Sequence, residues 1–238
     1  MRLANQVVVI VGGGSGIGLA VAKLAHREGT NTIILGRTLS KLEQAKDSIG
    51  ENTKAIAIDV MDEAAVTQAF DKIGDFDHLF ISAQDASTAS LSTTTIEKLR
   101  PTLDSKIWGA LQVVKHGVSQ MRVGGSITFI SGLAGRRGYP GFAVAGAANA
   151  GIEAVARNLA VELAPIRVNT VCAGVIDTEM LDKVFGEKRG EIVEAISNKL
   201  PVKRIGKPEE IADAVLFLMS NGFVTGATLL VDGGDALV

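Results

Sequence analysis

The feature that most constrains the fold of this chain is an alternation. Seven short apolar runs rich in β-branched residues stand at regular intervals: VVVIV at 7–11, TIIL at 32–35, AIAI at 55–58, HLFIS at 78–82, SITFI at 126–130, RVNTV at 167–171 and TLLVD at 228–232. Between them lie longer segments with apolar residues three and four apart, namely Ile17 to Gly29, Leu39 to Ile49, Glu63 to Ile73, Ile96 to Met121, Ala143 to Ala164 and Pro208 to Met219. Strands that are apolar on both faces and joined by helices belong in a parallel sheet covered on both sides, because parallel neighbours need a long crossover. The alternation therefore predicts one doubly wound α/β domain over residues 1–238, with a seven-stranded parallel sheet flanked by helices.

Composition excludes several function classes. At 238 residues and 47% hydrophobic, the chain is long enough to bury a core without disulfides or metals. A net charge of -2 gives no basic surface for nucleic acid. Cys172 is the single cysteine, which fits a reducing compartment, and cytoplasm is the expected location. The apolar run Val7 to Val11 is too short for a signal-peptide core, and no run approaches the roughly 18 apolar residues of a membrane helix. Ser82 to Thr95 reads as a loop at a strand's carboxyl end. Residues 172–207, with Gly174, Gly186, Gly190, Pro201 and Gly206, are weakly patterned and read as a substrate lid.

GGGSGIG at 12–18 follows the first strand and opens the first helix, the context expected of a Rossmann dinucleotide site. Gly12 permits the tight turn, Gly16 allows close approach of backbone to a pyrophosphate, and Gly18 lets the helix pack on the sheet. Gly14, Ser15 and Ile17 complete the turn, and the helix N-terminus offers free N–H groups and partial positive charge. About 20 residues on, an acidic side chain would select NAD(H). Here stand Arg37 and Thr38, so a guanidinium able to fork onto a 2′-phosphate favours NADP(H) over NAD(H). Asp59, followed by Val60, ends the third strand and either contacts the adenine or caps the next helix.

From the glycine turn to VTGATLLVDGG at 224–234 the chain resembles the short-chain dehydrogenase/reductase family, through GGGSGIG at 12–18, GR at 36–37, DV at 59–60, GGSITFIS at 124–131, APIRVNTV at 164–171, GVIDT at 174–178 and KPEEIADAVLFL at 207–218. The resemblance implies a homodimeric or homotetrameric, nicotinamide-dependent reductase or dehydrogenase of a small carbonyl or alcohol substrate. It extends the expected cofactor contacts to Ala83, Gly174, Val175 and Thr178. It also implies an Asn, Ser, Tyr and Lys tetrad that this chain lacks. Lys106 stands at the Asn position, Gly132 at the Ser, Ala145 at the Tyr and Asn149 at the Lys. No realignment restores a Tyr-x-x-x-Lys pair, since Tyr139 is the only tyrosine and the fourth residue after it is Ala143. Val11, ISAQ at 81–84 and Ala173 depart from the family pattern around the same site.

In the resembling fold the position of Lys106 points toward the nicotinamide ribose and the vacated lysine site, so its ammonium is the leading replacement proton donor. The competing reading has Lys106 reaching solvent or pairing with Asp104. Ser131, one residue before the expected serine, is a second candidate, although strand alternation turns it to the opposite face. Arg136, Arg137 and Tyr139 border the cleft as lesser candidates for substrate contact. The small residues Ala145 to Ala148 suggest a close helix interface between subunits. Two functions follow: an NADPH-dependent oxidoreductase with a relocated proton donor, or an NADPH-binding sensor or assembly subunit without turnover.

Overall fold

A computed structural model describes residues 2–85 and 88–238. All seven strands form one parallel sheet in the order β3-β2-β1-β4-β5-β6-β7: β1 Val7–Val11, β2 Asn31–Gly36, β3 Thr53–Ala57, β4 Phe76–Ile81, β5 Met121–Gly132, β6 Arg167–Ala173 and β7 Thr228–Val231. The order reverses between β1 and β4, and the crevice outside the strand ends at such a switch point is where ligands of open α/β sheets bind.

Side-chain alternation along the strands makes two cores. Val8, Ile10, Ile34, Phe80, Ile130 and Val171 pack beneath α1 (Gly16–Arg27), α2 (Leu39–Ile49) and α9 (Pro208–Ser220). Val9, Val11, Ile33, Leu79, Ile127 and Phe129 pack beneath α3 (Glu63–Ile73), α5 (Ala110–Gly117) and α6 (Ala143–Glu162). Each fully buried aliphatic or aromatic side chain here contributes about 1.5–3 kcal/mol, so the two-sided burial is the main cohesive force.

One expectation needed correction. The helix expected from Ile96 to Met121 is broken into α4 (Ile96–Leu103), a π-helical segment Asp104–Gly109, α5, and a 3-10 turn, and Met121 already belongs to β5. Pro101 stands inside α4, and the Ser105 hydroxyl donates to the Pro101 carbonyl at 2.7 Å, so the ordinary turn is interrupted here. The weakly patterned residues 172–207 carry two helices, α7 (Glu179–Phe185) and α8 (Arg189–Lys199), after β6 has run on to Ala173. The loop expected at Ser82 to Thr95 includes Ala86 and Ser87, which lie outside the described residues. Among the described residues no helix is long and apolar enough to cross a membrane.

Candidate active site

The glycine turn sits at the carboxyl end of β1, between β2 and β4. Gly12 has φ +91°, and a Cβ there would lie 2.7 Å from Ser82 Oγ and 2.8 Å from the Ala83 backbone nitrogen. A Cβ on Gly18 would lie 2.1 Å from the Gly12 carbonyl oxygen, so helix α1 rests directly on the turn. Gly13, which the sequence reading passed over, is equally constrained, because its Cβ would meet Ile34 at 2.7 Å. Ile17 packs on the core beneath α1. Ser15 is the N-cap residue of α1 but makes no side-chain cap bond, and the first turn holds no acidic residue. Those features fit a phosphate: backbone N–H groups at a helix N-terminus, with no carboxylate of the helix in competition.

Of the expected contacts, Ala83 and Thr178 lie against this turn. Ser82 and Ala83 both donate backbone N–H to the Val11 carbonyl, at 2.8 and 3.1 Å, closing the β4 loop onto β1. Thr178, N-cap of α7, places its methyl 3.4 Å from where a Gly16 Cβ would stand, which brings the 172–207 segment onto the glycine turn. Gly174 is packed on Asp232, and its N–H donates to Val231 at 3.0 Å; the Val175 carbonyl accepts from Gly206 at 2.9 Å. Gly14 leaves a Cβ position 3.3 Å from Leu42. Thr38 is the N-cap residue of α2, without a side-chain cap bond. Val60 is buried in the core. Asp59 is not a helix cap: its carboxylate accepts from the Met61 N–H at 2.9 Å in a local turn, while Asp62 caps α3 by accepting from Ala65 at 3.0 Å.

Arg37 extends from the end of β2 and donates a two-pronged pair of bonds to Asp85, at 2.8 and 2.7 Å. Asp85 belongs to the loop after β4, and its backbone N–H donates to Ser105 Oγ at 2.9 Å.

Lys106 is the most unusual side chain of the crevice. It is 5% exposed, and its Nζ donates to Gln84 Oε1 at 2.6 Å. Neither alternative read from the sequence holds: the lysine does not reach solvent, and Asp104 pairs with Arg100 at 3.0 Å instead. Among the described residues no carboxylate bonds Lys106. Burial lowers its pKa to about 7, against a weaker opposing pull from Cys172. The π-helical turn that carries it is a geometry often found at functional sites. Gln84 was flagged only as part of the departure ISAQ from the family pattern; that substitution was the signal for it.

Ser131 lies apart from Lys106 in its bonding. Its hydroxyl donates to Glu153 Oε1 at 2.8 Å, and Arg136 completes the buried carboxylate through Nη2 at 2.8 Å. Arg137 pairs with Asp235 at 3.1 Å, and Tyr139 donates to the same residue at 3.4 Å. These two side chains thus tie the loop after β5 to the chain's end. A Cβ on Gly132 would stand 3.2 Å from Asn149 Nδ2, which sets two of the replaced tetrad positions side by side. Of the small residues of α6, Gly146 is held within the chain, since a Cβ there would lie 2.5 Å from the Ala134 carbonyl oxygen, while Ala147 and Ala150 are exposed and line a cavity of about 310 Å³ with Tyr139 and Phe142.

Comparison with known proteins agrees with this fold. Residues 12–235 match the family model described as Enoyl-(Acyl carrier protein) reductase. The chain is 33% identical to carbonyl reductase family member 4 of Xenopus laevis, over 97% of this chain and 98% of that one. A solved short chain dehydrogenase/reductase family protein superposes with a TM-score of 0.91 at 34% identity, covering 100% of both chains. A second, a small-chain dehydrogenase in complex with NADPH, superposes with a TM-score of 0.86 at 34% identity, covering 98% of this chain and 100% of that one. With the family model matched over residues 12–235 and the fold shared along the whole chain, the chain belongs to the short-chain dehydrogenase/reductase family of oxidoreductases.

Proposed function

We propose that this protein is an NADP(H)-dependent oxidoreductase of a small carbonyl or alcohol substrate in which Lys106 replaces the usual tyrosine as proton donor. The observation that carries the reading is the Lys106 ammonium, buried at the switch-point crevice with an amide partner rather than a carboxylate. A buried lysine costs stability, and a pKa near 7 suits a general acid at neutral pH. Gly12 to Gly18 would hold the pyrophosphate, and Arg37 with Thr38 the adenosine 2′-phosphate. When bound, the nicotinamide supplies the hydride. Lys106 Nζ would give its proton to the carbonyl oxygen of the substrate and recover one from solvent. Ser131 is assigned an anchoring part, since its hydroxyl proton is committed to Glu153. Residues 172–207 are proposed as the lid over the substrate, with α7 seated on Gly16 through Thr178. Assembly into a homodimer or homotetramer, which the family resemblance implies, belongs to the same reading.

The test is NADPH oxidation over a panel of small carbonyl compounds, with NADPH affinity measured by calorimetry. Lys106→Ala is expected to lower turnover about 100-fold or more, with NADPH affinity within about threefold of the parent. Tight NADPH binding without turnover in the parent protein would instead favour the second reading, a cofactor-binding sensor or assembly subunit, for which the residues Gly132, Ala145 and Asn149 already speak.

A further inference from the structure

The fork between Arg37 and Asp85 crosses the place where a dinucleotide has to run. In the sheet β2 and β4 flank β1. Arg37 follows β2 directly, Asp85 stands four residues beyond the end of β4, and the glycine turn lies between them at the end of β1. The two side chains therefore meet across the crevice, over the strand that carries the phosphate cradle. Asp85 is not a loose surface group, because its own N–H is fixed to Ser105 in the π-helical segment. Asp59 adds a second carboxylate within Coulombic reach of the same guanidinium. Two carboxylates thus face one cation at the spot read as the 2′-phosphate site, a local balance that repels a phosphate dianion while Asp85 stays in place. A ribose carrying only a 2′-hydroxyl meets no such opposition.

Resting on the NADP(H) reading above, we infer that Asp85 is a specificity-determining residue: it is the counterion that a 2′-phosphate must replace on Arg37, and it sets how strongly the protein distinguishes NADPH from NADH. Both partners are partly solvent-exposed, which makes the pair weak enough to exchange and sensitive to salt.

The experiment is calorimetric titration of the parent, Asp85→Asn, Arg37→Met and the double variant with NADPH, NADH, adenosine 2′,5′-bisphosphate and 5′-AMP. Asp85→Asn is expected to raise affinity for NADPH and the bisphosphate about tenfold, leaving NADH and 5′-AMP within about twofold. In the Arg37→Met background the gain must vanish. Asp85→Ala, which also removes the carboxylate, checks that the effect does not come from a new amide contact. An unchanged NADPH affinity, an equal gain for both ligand pairs, or a gain that persists without Arg37 would overturn the inference. The NADP(H) reading fails by a different result: Arg37→Met leaving the NADPH to NADH ratio unchanged both with Asp85 and with Asn at that position.

Discussion

The two sides of the switch-point crevice are built from different material. On the β1–α1 side the crevice is walled by backbone, and its geometry is enforced by contacts that admit no side chain, such as the 2.1 Å between a Gly18 Cβ and the Gly12 carbonyl oxygen. On the β4–α4 side it is side chain, with Lys106 on Gln84 and Asp85 on Arg37. A backbone site leaves a folding chain few alternatives, because a substitution at Gly12 or Gly18 collides with main chain. A side-chain site can be rebuilt, since an ammonium reaching the same space from another element can serve the same proton. On the proposed reading, the difference explains how a chain can keep its glycine turn while all four positions at which the resemblance implies the tetrad carry other residues.

The largest effect should come from breaking the backbone side. Gly18→Ala puts a methyl group against the Gly12 carbonyl, so α1 must lift from the turn, with an expected loss of about 3 kcal/mol or more in urea unfolding and no NADPH binding by calorimetry. Gly14→Ala, whose Cβ would meet only the flexible end of Leu42 at 3.3 Å, is expected to cost less than about 1 kcal/mol. Equal losses for the two variants would mean that the motif is not held by the contacts described.

The side-chain half predicts the opposite sign. The folded protein holds Lys106 at a pKa of about 7, below its ordinary 10.5. Between those values the unfolded chain keeps a proton that the folded chain releases, so stability rises with pH across this window and the full penalty applies below pH 7. Lys106→Met keeps the volume and removes the charge. It is expected to be more stable than the parent by about 2–4 kcal/mol at pH 6, with the gap closing toward pH 10, while turnover is lost. A gap that stays constant between those pH values would show that charge burial is not its source.

Legibility followed the same division. Runs such as VVVIV and TIIL carry two-sided burial in their own composition, so the strands, their parallel arrangement and the glycine turn that follows the first of them could be read from sequence. The end of the helix begun at Ile96 could not, because the π-helical turn depends on how Pro101 and Ser105 share one carbonyl. Residues 172–207 hid α7 and α8 because Gly186 and Gly190 interrupt their period and α8 buries no residue fully. Gln84 and Asp85 were invisible as partners, since what they bond lies 22 and 48 residues away and only the folded crevice brings them together. Lys106 was found through the tetrad position it occupies, yet its burial and its amide partner were not written in the sequence around it.

A smaller effect than that at Lys106 separates anchoring from proton transfer at Ser131. Its hydroxyl donates to Glu153 at 2.8 Å, and that carboxylate keeps two bonds from Arg136, at 2.8 and 3.3 Å, when the serine is removed. Ser131→Ala therefore deletes one hydrogen bond without leaving an unpaired charge, and should cost about 1–2 kcal/mol in urea unfolding. Because the hydroxyl proton points to Glu153 and not toward Lys106, carbonyl-dependent NADPH oxidation should stay within about threefold of the parent. A fall of two orders of magnitude at unchanged NADPH affinity would place Ser131 in the proton-transfer half, extending the rebuilt side of the crevice from β4 and α4 across to β5.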